Sequence, residues 1–247
     1  MRYLVISDIH ANLQAYDTVM AAAGRLGWDR AVVLGDLVGY GADPNAVVER
    51  VRALQPHAVI RGNHDKVGSG LETPEGFNAV ARSAIHWTHD ALTDDNRAWL
   101  AGLATGPIIV DEAFEICHGT PFDEDAYVFD DLDALRAVHA ARRALCFFGH
   151  THVQVGYSLR NNQFVVETDD EPRPFEMAVA SEARYLVNPG SVGQPRDGDP
   201  RAGFGVVDVE AGTVTLHRVA YPVAEAQARI AAEGLPEILA ERLGVGR

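Results

Sequence analysis

Cysteine is nearly absent, with only Cys117 and Cys146 in 247 residues. Each lies inside an apolar run and neither belongs to a C-x-x-C pair, which disfavours a disulfide framework and a thiolate metal site. Buried, reduced thiols of a cytoplasmic protein are expected instead. Long hydrophobic runs are missing too. No stretch approaches the roughly 20 consecutive apolar residues of a membrane span, and the apolar start at residues 4–6 is too short for a signal peptide. Positive charge is scarce, since 21 Lys+Arg against 35 Asp+Glu leave −14 at pH 7. A protein that grips a nucleic-acid backbone needs clustered Lys and Arg, so this chain is not expected to bind long nucleic acid. Small anions stay open to it, because a short site can invert the local sign.

What is present suits a globular α/β chain. Strand-like runs at 3–7, 31–34 and 58–61 alternate with helical stretches at 12–26, capped by Asn12, and 44–54, opened by Pro44. That order predicts parallel strands joined by helical crossovers. A polar, Gly-bearing segment then gives way to helix-like sequence, and a helical lobe at about 66–103 is expected over the sheet edge. Strands follow at 108–110, 114–118 and 145–149, with a helix at 132–143. From residue 153 the pattern is mostly β, with turns at Asn161-Asn162 and Ala211-Gly212, before a closing helix at 222–243 broken near Gly234 and Pro236. The expected fold is one α/β domain over 1–247, with two packed β-sheets flanked by helices.

Chemistry-bearing residues gather at the strand ends. The first three strands deliver Asp8-Ile9-His10, Gly35-Asp36-Leu37-Val38-Gly39 and Gly62-Asn63-His64-Asp65; two later ones deliver Cys117-His118-Gly119 and Gly149-His150-Thr151-His152. Open α/β sheets place ligands at the carboxyl ends of their strands. In extended chain, residues two apart share a side, so Asp8 with His10 and His150 with His152 can converge. Cys117 is expected to point away from His118. The donors are therefore carboxylate, amide oxygen and imidazole, which suit Mn, Fe, Zn or Co better than Mg.

Together the five blocks, in this order, resemble the calcineurin-like metallophosphoesterase superfamily. The resemblance implies a four-layer α/β/β/α sandwich and two divalent metal ions. Asp8, His10, Asp36 and His152 would hold the first ion; Asp36, Asn63, His118 and His150 would hold the second. It further implies hydrolysis of a phosphoester by a hydroxide that the metals activate. His64 would bind the phosphoryl oxygens or protonate the leaving group, with Asp65 or a backbone carbonyl fixing its tautomer.

Two further features refine the expectation. Asn188-Pro189-Gly190-Ser191 and Gly39-Tyr40-Gly41 resemble the small bacterial and archaeal phosphodiesterase-like branch, and Arg196 or Arg201 after the former could reach a substrate phosphate. The protein serine/threonine phosphatases carry an acidic residue and a phosphate-gripping Arg after the bridging Asp, where this chain has Gly39 and Tyr40. The expected substrate is thus a small phosphodiester or a nucleotide. The alternatives are a phosphomonoesterase or protein phosphatase, and a non-catalytic scaffold, which the intact ligand set disfavours. His57, His86, His89, His139 and His217 are assigned no function.

Overall fold

The computed structural model describes residues 1–168 and 173–247. Its first part runs β1 (Arg2–Ile6), α1 (Leu13–Leu26), β2 (Arg30–Val33), α2 (Pro44–Leu54) and β3 (Ala58–Val59). β1 pairs in parallel with β2, and β2 with β3. The predicted helix starts are present: Asn12 Oδ1 accepts from the Ala15 amide at 3.1 Å, and Pro44 occupies the first turn of α2, where its missing N–H costs nothing.

Three helices, α3 (Asn63–Ser69), α4 (Ala79–Ala91) and α5 (Asp94–Ala101), cover the region expected as a lobe. The first begins inside the Gly-Asn-His-Asp block, earlier than the sequence suggested. Asp65 explains this, because its Oδ2 accepts from the amide of Gly62, the residue before the helix, at 2.9 Å. A carboxylate that reaches back to the N-cap amide is half of a capping box.

The remaining strands are β4 (Ile108–Val110), β5 (Phe114–Ile116), β6 (Leu145–Phe147), β7 (Val155–Arg160), β8 (Gln163–Val166), β9 (Phe175–Ala178), β10 (Arg184–Asn188), β11 (Ala202–Asp208) and β12 (Thr213–Val219). They form two mixed six-stranded sheets, ordered β3-β2-β1-β11-β12-β9 and β4-β5-β6-β10-β7-β8. α6 (Asp131–Ala140) covers the second sheet, while α7 (Val223–Ala232) and α8 (Glu237–Glu241) join α1 over the first. The break between α7 and α8 falls at Gly234 and Pro236, as expected.

Alternation along β1 sorts its side chains between layers. Tyr3 and Val5 enter the core between the sheets with Phe114, Phe147 and Val187, whereas Leu4 and Ile6 join the core beneath α1 and α2. Burying both faces of β1 fixes its register, since a one-residue slip would exchange the two sets. Cys117 and Cys146 are free and buried beneath α6, their Sγ atoms 3.8 Å apart. No helix among the described residues is long and apolar enough to cross a membrane.

Candidate metal centre

β1 and β2 end side by side, with Ile6 opposite Val33, and β5 and β6 end likewise, with Ile116 opposite Phe147. The five blocks leave these ends and β3 on one edge of the molecule. They do not continue as extended chain. Asp8, His10, Asp36, His150 and His152 all have positive φ, between 48° and 66°. The pairs Asp8/His10 and His150/His152 therefore converge by left-handed curls, which corrects the expectation of strand alternation. Such a backbone costs a non-glycine residue about 1–3 kcal/mol, and strain of this kind collects at functional sites.

The curls bring the donors into two groups that share Asp36. Asp8, His10, Asp36 and His152 form one, and Asp36, His118 and His150 the other; all are buried, and the ligand atoms in each group lie within 4.8 Å of one another. Asp36 Oδ2 is 3.5 Å from both His10 Nε2 and His118 Nε2. Asn63 Oδ1 lies 3.3 Å from His118 Nε2, which adds an amide oxygen to the second group.

Each imidazole is oriented from behind by a backbone carbonyl. The Nδ1 atoms of His10, His118 and His152 meet the carbonyls of Val38, Leu34 and Gln194 at 3.0, 2.7 and 2.7 Å. His150 is turned the other way, its Nε2 at 3.1 Å from the Asp125 carbonyl. A carbonyl can only accept, so each of these nitrogens carries the proton and the opposite one faces inward. In consequence His10 and His152 present Nε2 lone pairs to each other at 2.9 Å. With no proton between them they repel, and a cation between them removes the repulsion. This is the observation by which the residues fit a metal.

Burial sets the charges. It holds His10 and His152 well below the ordinary histidine pKa, and His150 down at about 3, so all three are neutral at pH 7, as metal ligation would require. His118 is the exception. Burial opposes its charge, but the Asp36 carboxylate raises it to about 10. Asp36 in turn is pulled well below the carboxylate range, against its own burial, by His118, His64 and His10. Asp8 is pushed up to about 6, chiefly by burial and also by Asp36.

A profile of the calcineurin-like phosphoesterase superfamily domain matches residues 1–212. The chain belongs to that superfamily. It is 34% identical over 248 residues to an uncharacterised protein of Methanocaldococcus jannaschii, covering 98% of this chain and 97% of that one. Its fold matches a metallophosphoesterase from Sphaerobacter thermophilus with a TM-score of 0.86 and 38% identity, over 100% of this chain and 99% of that one. A hypothetical protein from Pyrococcus horikoshii OT3 matches with a TM-score of 0.81 over 100% and 98% of the two chains; at 19% identity this is a likeness of fold alone.

Within this calcineurin-like centre His64 stands beside the ligands. Its ring lies 4.9 Å from that of His10, 4.4 Å from Tyr40 and 4.6 Å from Phe77. Gly39 makes room for it, because a Cβ there would sit 2.3 Å from His64 Nδ1. The expected support from Asp65 or a carbonyl is not there. Asp65 accepts from the amides of Leu37, Val38 and Gly62, and His64 Nδ1 is buried with no partner. Asp65 thus braces the loop after Asp36 and the start of α3, its carboxyl turned to three amides and not to His64.

The Asn-Pro-Gly-Ser block works from behind. Asn188 Nδ2 donates to the Gly149 carbonyl at 2.9 Å and Ser191 Oγ to the Asp8 carbonyl at 2.7 Å, so both fasten ligand-bearing curls. Beyond it, Arg196 lies over the Tyr40 ring at 5.4 Å with a buried Nε lacking a partner, whereas Arg201 is tied to Asp199. The five histidines without an assigned function stand outside both donor groups. Tyr127 was not singled out from the sequence. It packs on His150 with ring centroids 3.7 Å apart, and nothing in a lone tyrosine within an acidic loop announces this.

Proposed function

We propose that this protein hydrolyses small phosphodiesters or nucleotides, with the two donor groups holding a pair of divalent cations. When bound, the cations would supply the positive charge and the activated water that in-line displacement at phosphorus needs. The chain's own residues would bind and orient the ester. His64, kept neutral at pH 7 by a pKa held down at about 4, chiefly by burial, can donate an N–H to a phosphoryl or leaving-group oxygen. Arg196, lying over the Tyr40 ring, offers a guanidinium for a phosphoryl oxygen.

One observation favours a diester over a monoester. A cleft of about 340 Å³ opens beside His64, Asn63 and His150, walled by Tyr40, Phe77 and Tyr127, and no Arg or Lys lines it. A monoester dianion calls for added cationic grip, as the Arg of the protein phosphatases illustrates, and Tyr40 stands where that Arg would be. A diester carries one charge and a second organic group, which aromatic walls can hold.

A substrate panel with added Mn²⁺ tests this. The expected result is kcat/KM for bis(p-nitrophenyl) phosphate at least tenfold above that for p-nitrophenyl phosphate, with turnover lost on chelation. Preference for the monoester or for a phosphopeptide would overturn the diester assignment. No turnover of any ester by protein shown to contain both metals would favour the scaffold alternative.

A further inference from the structure

Lys66 is the sole lysine in the chain, one of 21 basic residues, and its side chain is 1% exposed. Its place on α3 is three residues after Asn63. Its ammonium meets three carboxylates: Asp125 Oδ2 at 2.6 Å, Glu124 Oε1 at 3.2 Å and Glu72 Oε1 at 3.3 Å. Arg61 holds the same Glu124 with Nη2 at 2.9 Å and Nε at 3.2 Å. The three carboxylates are close enough to hold a metal ion themselves. The protein already supplies their counter-charges, because an ammonium and a guanidinium occupy that position.

The segment they fasten carries the outer support of the second metal group. The Asp125 carbonyl orients His150, and Tyr127, two residues on, packs against the same ring. The other three candidate ligand histidines lean on carbonyls that the Lys66 cluster does not touch. Leu34 directly follows β2, Val38 lies in the loop braced by Asp65, and Gln194 follows the block that Ser191 fastens, its own amide bonded to Ser191 Oγ at 2.7 Å. Asp125 instead lies in the connection between β5 and α6, held by turns of its own, and Lys66 reaches it from α3.

We infer that Lys66 is a positioning residue for the second metal. By holding the Asp125 segment it keeps the carbonyl on His150 Nε2, which leaves His150 Nδ1 as the donor for the ion shared with Asp36, Asn63 and His118. Among the described residues, no hydrogen bond or ion pair joins Lys66, Glu72, Glu124 or Asp125 to the first group, Asp8, His10, Asp36 and His152. Lys66 therefore acts on one of the two sites. The inference rests on the two-metal assignment above.

The test is metal titration of the full chain, wild type against Lys66→Met, followed by calorimetry and by Mn²⁺ electron paramagnetic resonance. Loss of an outer partner of a metal ligand costs about 10–100-fold in affinity. The expected result is that loss at the second site only, seen as single-ion spectra at Mn²⁺ concentrations where wild type gives the coupled pair. Saturating Mn²⁺ should restore kcat without altering KM. Equal weakening of both sites, or of neither, would overturn the inference. Removing Lys66 leaves three carboxylates close together without their ammonium and can unfold the chain, so Asp125→Ala, which keeps the carbonyl but frees it from Lys66, provides a second variant with the same selective signature. A wild type that binds fewer than two ions would instead refute the two-metal assignment.

Discussion

Asp36→Asn is expected to weaken metal binding by at least about 100-fold, beyond the range seen when only an outer partner of a ligand is lost, and turnover should fall by a similar or larger factor. The reason is geometric. Asp36 is the single residue common to both donor groups, and its Oδ2 faces one histidine of each at the same distance. Its other oxygen accepts from the His64 amide at 2.9 Å, a bond that an asparagine oxygen can keep, so the variant should fold. Unchanged metal stoichiometry and activity in this variant would remove Asp36 from its bridging place.

The same substitution has a pH signature. In the metal-free protein the raised pKa of His118, about 10, depends on Asp36. A raised histidine contributes stability that is complete below its unfolded pKa of about 6.5 and is lost as pH climbs toward the folded value. Metal-free wild type should therefore lose thermal stability between pH 7 and 9, and Asp36→Asn should lose much less over that range. Metal binding requires neutral His118, so wild-type affinity should rise with pH over the same range as a proton is displaced. A flat affinity profile would show that His118 is not a ligand.

His64→Ala is expected to lower kcat by about 10²–10⁴-fold, the usual contribution of a positioned proton donor or acceptor, while both metals stay bound. No ligand position is lost, which separates this variant from the previous one. Because His64 is neutral at pH 7 and offers a hydrogen bond rather than a proton, the deficit should be similar for an alkyl leaving group and for p-nitrophenol. A larger deficit for the alkyl ester would show that His64 is protonated in the complex and gives its proton to the leaving group. With a pKa near 4, lowered further by nearby divalent cations, His64 should not titrate above pH 5 in the free enzyme. An acid limb of kcat/KM between pH 6 and 8 must then belong to another group, and its survival in a His64→Gln variant checks this.

The blocks Asp8-x-His10, Asp36, Asn63-His64, His118 and His150-x-His152 were legible from the sequence because ligand chemistry resides in side-chain type and the turns in neighbouring glycines. So were the α/β order and the starts of α1 and α2, which depend on local caps. The curls at Asp8 and His150 were not. Positive φ at a non-glycine residue is imposed by what packs around it, here the Asn188 and Ser191 hydrogen bonds to adjacent carbonyls. Asp65 illustrates the same limit, since its sequence position beside His64 suggested proton handling and its three amide donors assign it to bracing.

The sequence by itself determined which atoms can bind a metal and that they gather at strand ends, since both follow from residue identity and short-range pattern. The tertiary structure alone decided which nitrogen of each histidine faces inward. That choice is made by backbone carbonyls of Val38, Leu34, Gln194 and Asp125, 25 to 84 residues away along the chain. A carbonyl is the same at every residue and leaves no mark in the sequence. Only the packing of two sheets face to face, and a single buried ammonium at Lys66, brings the right ones into place.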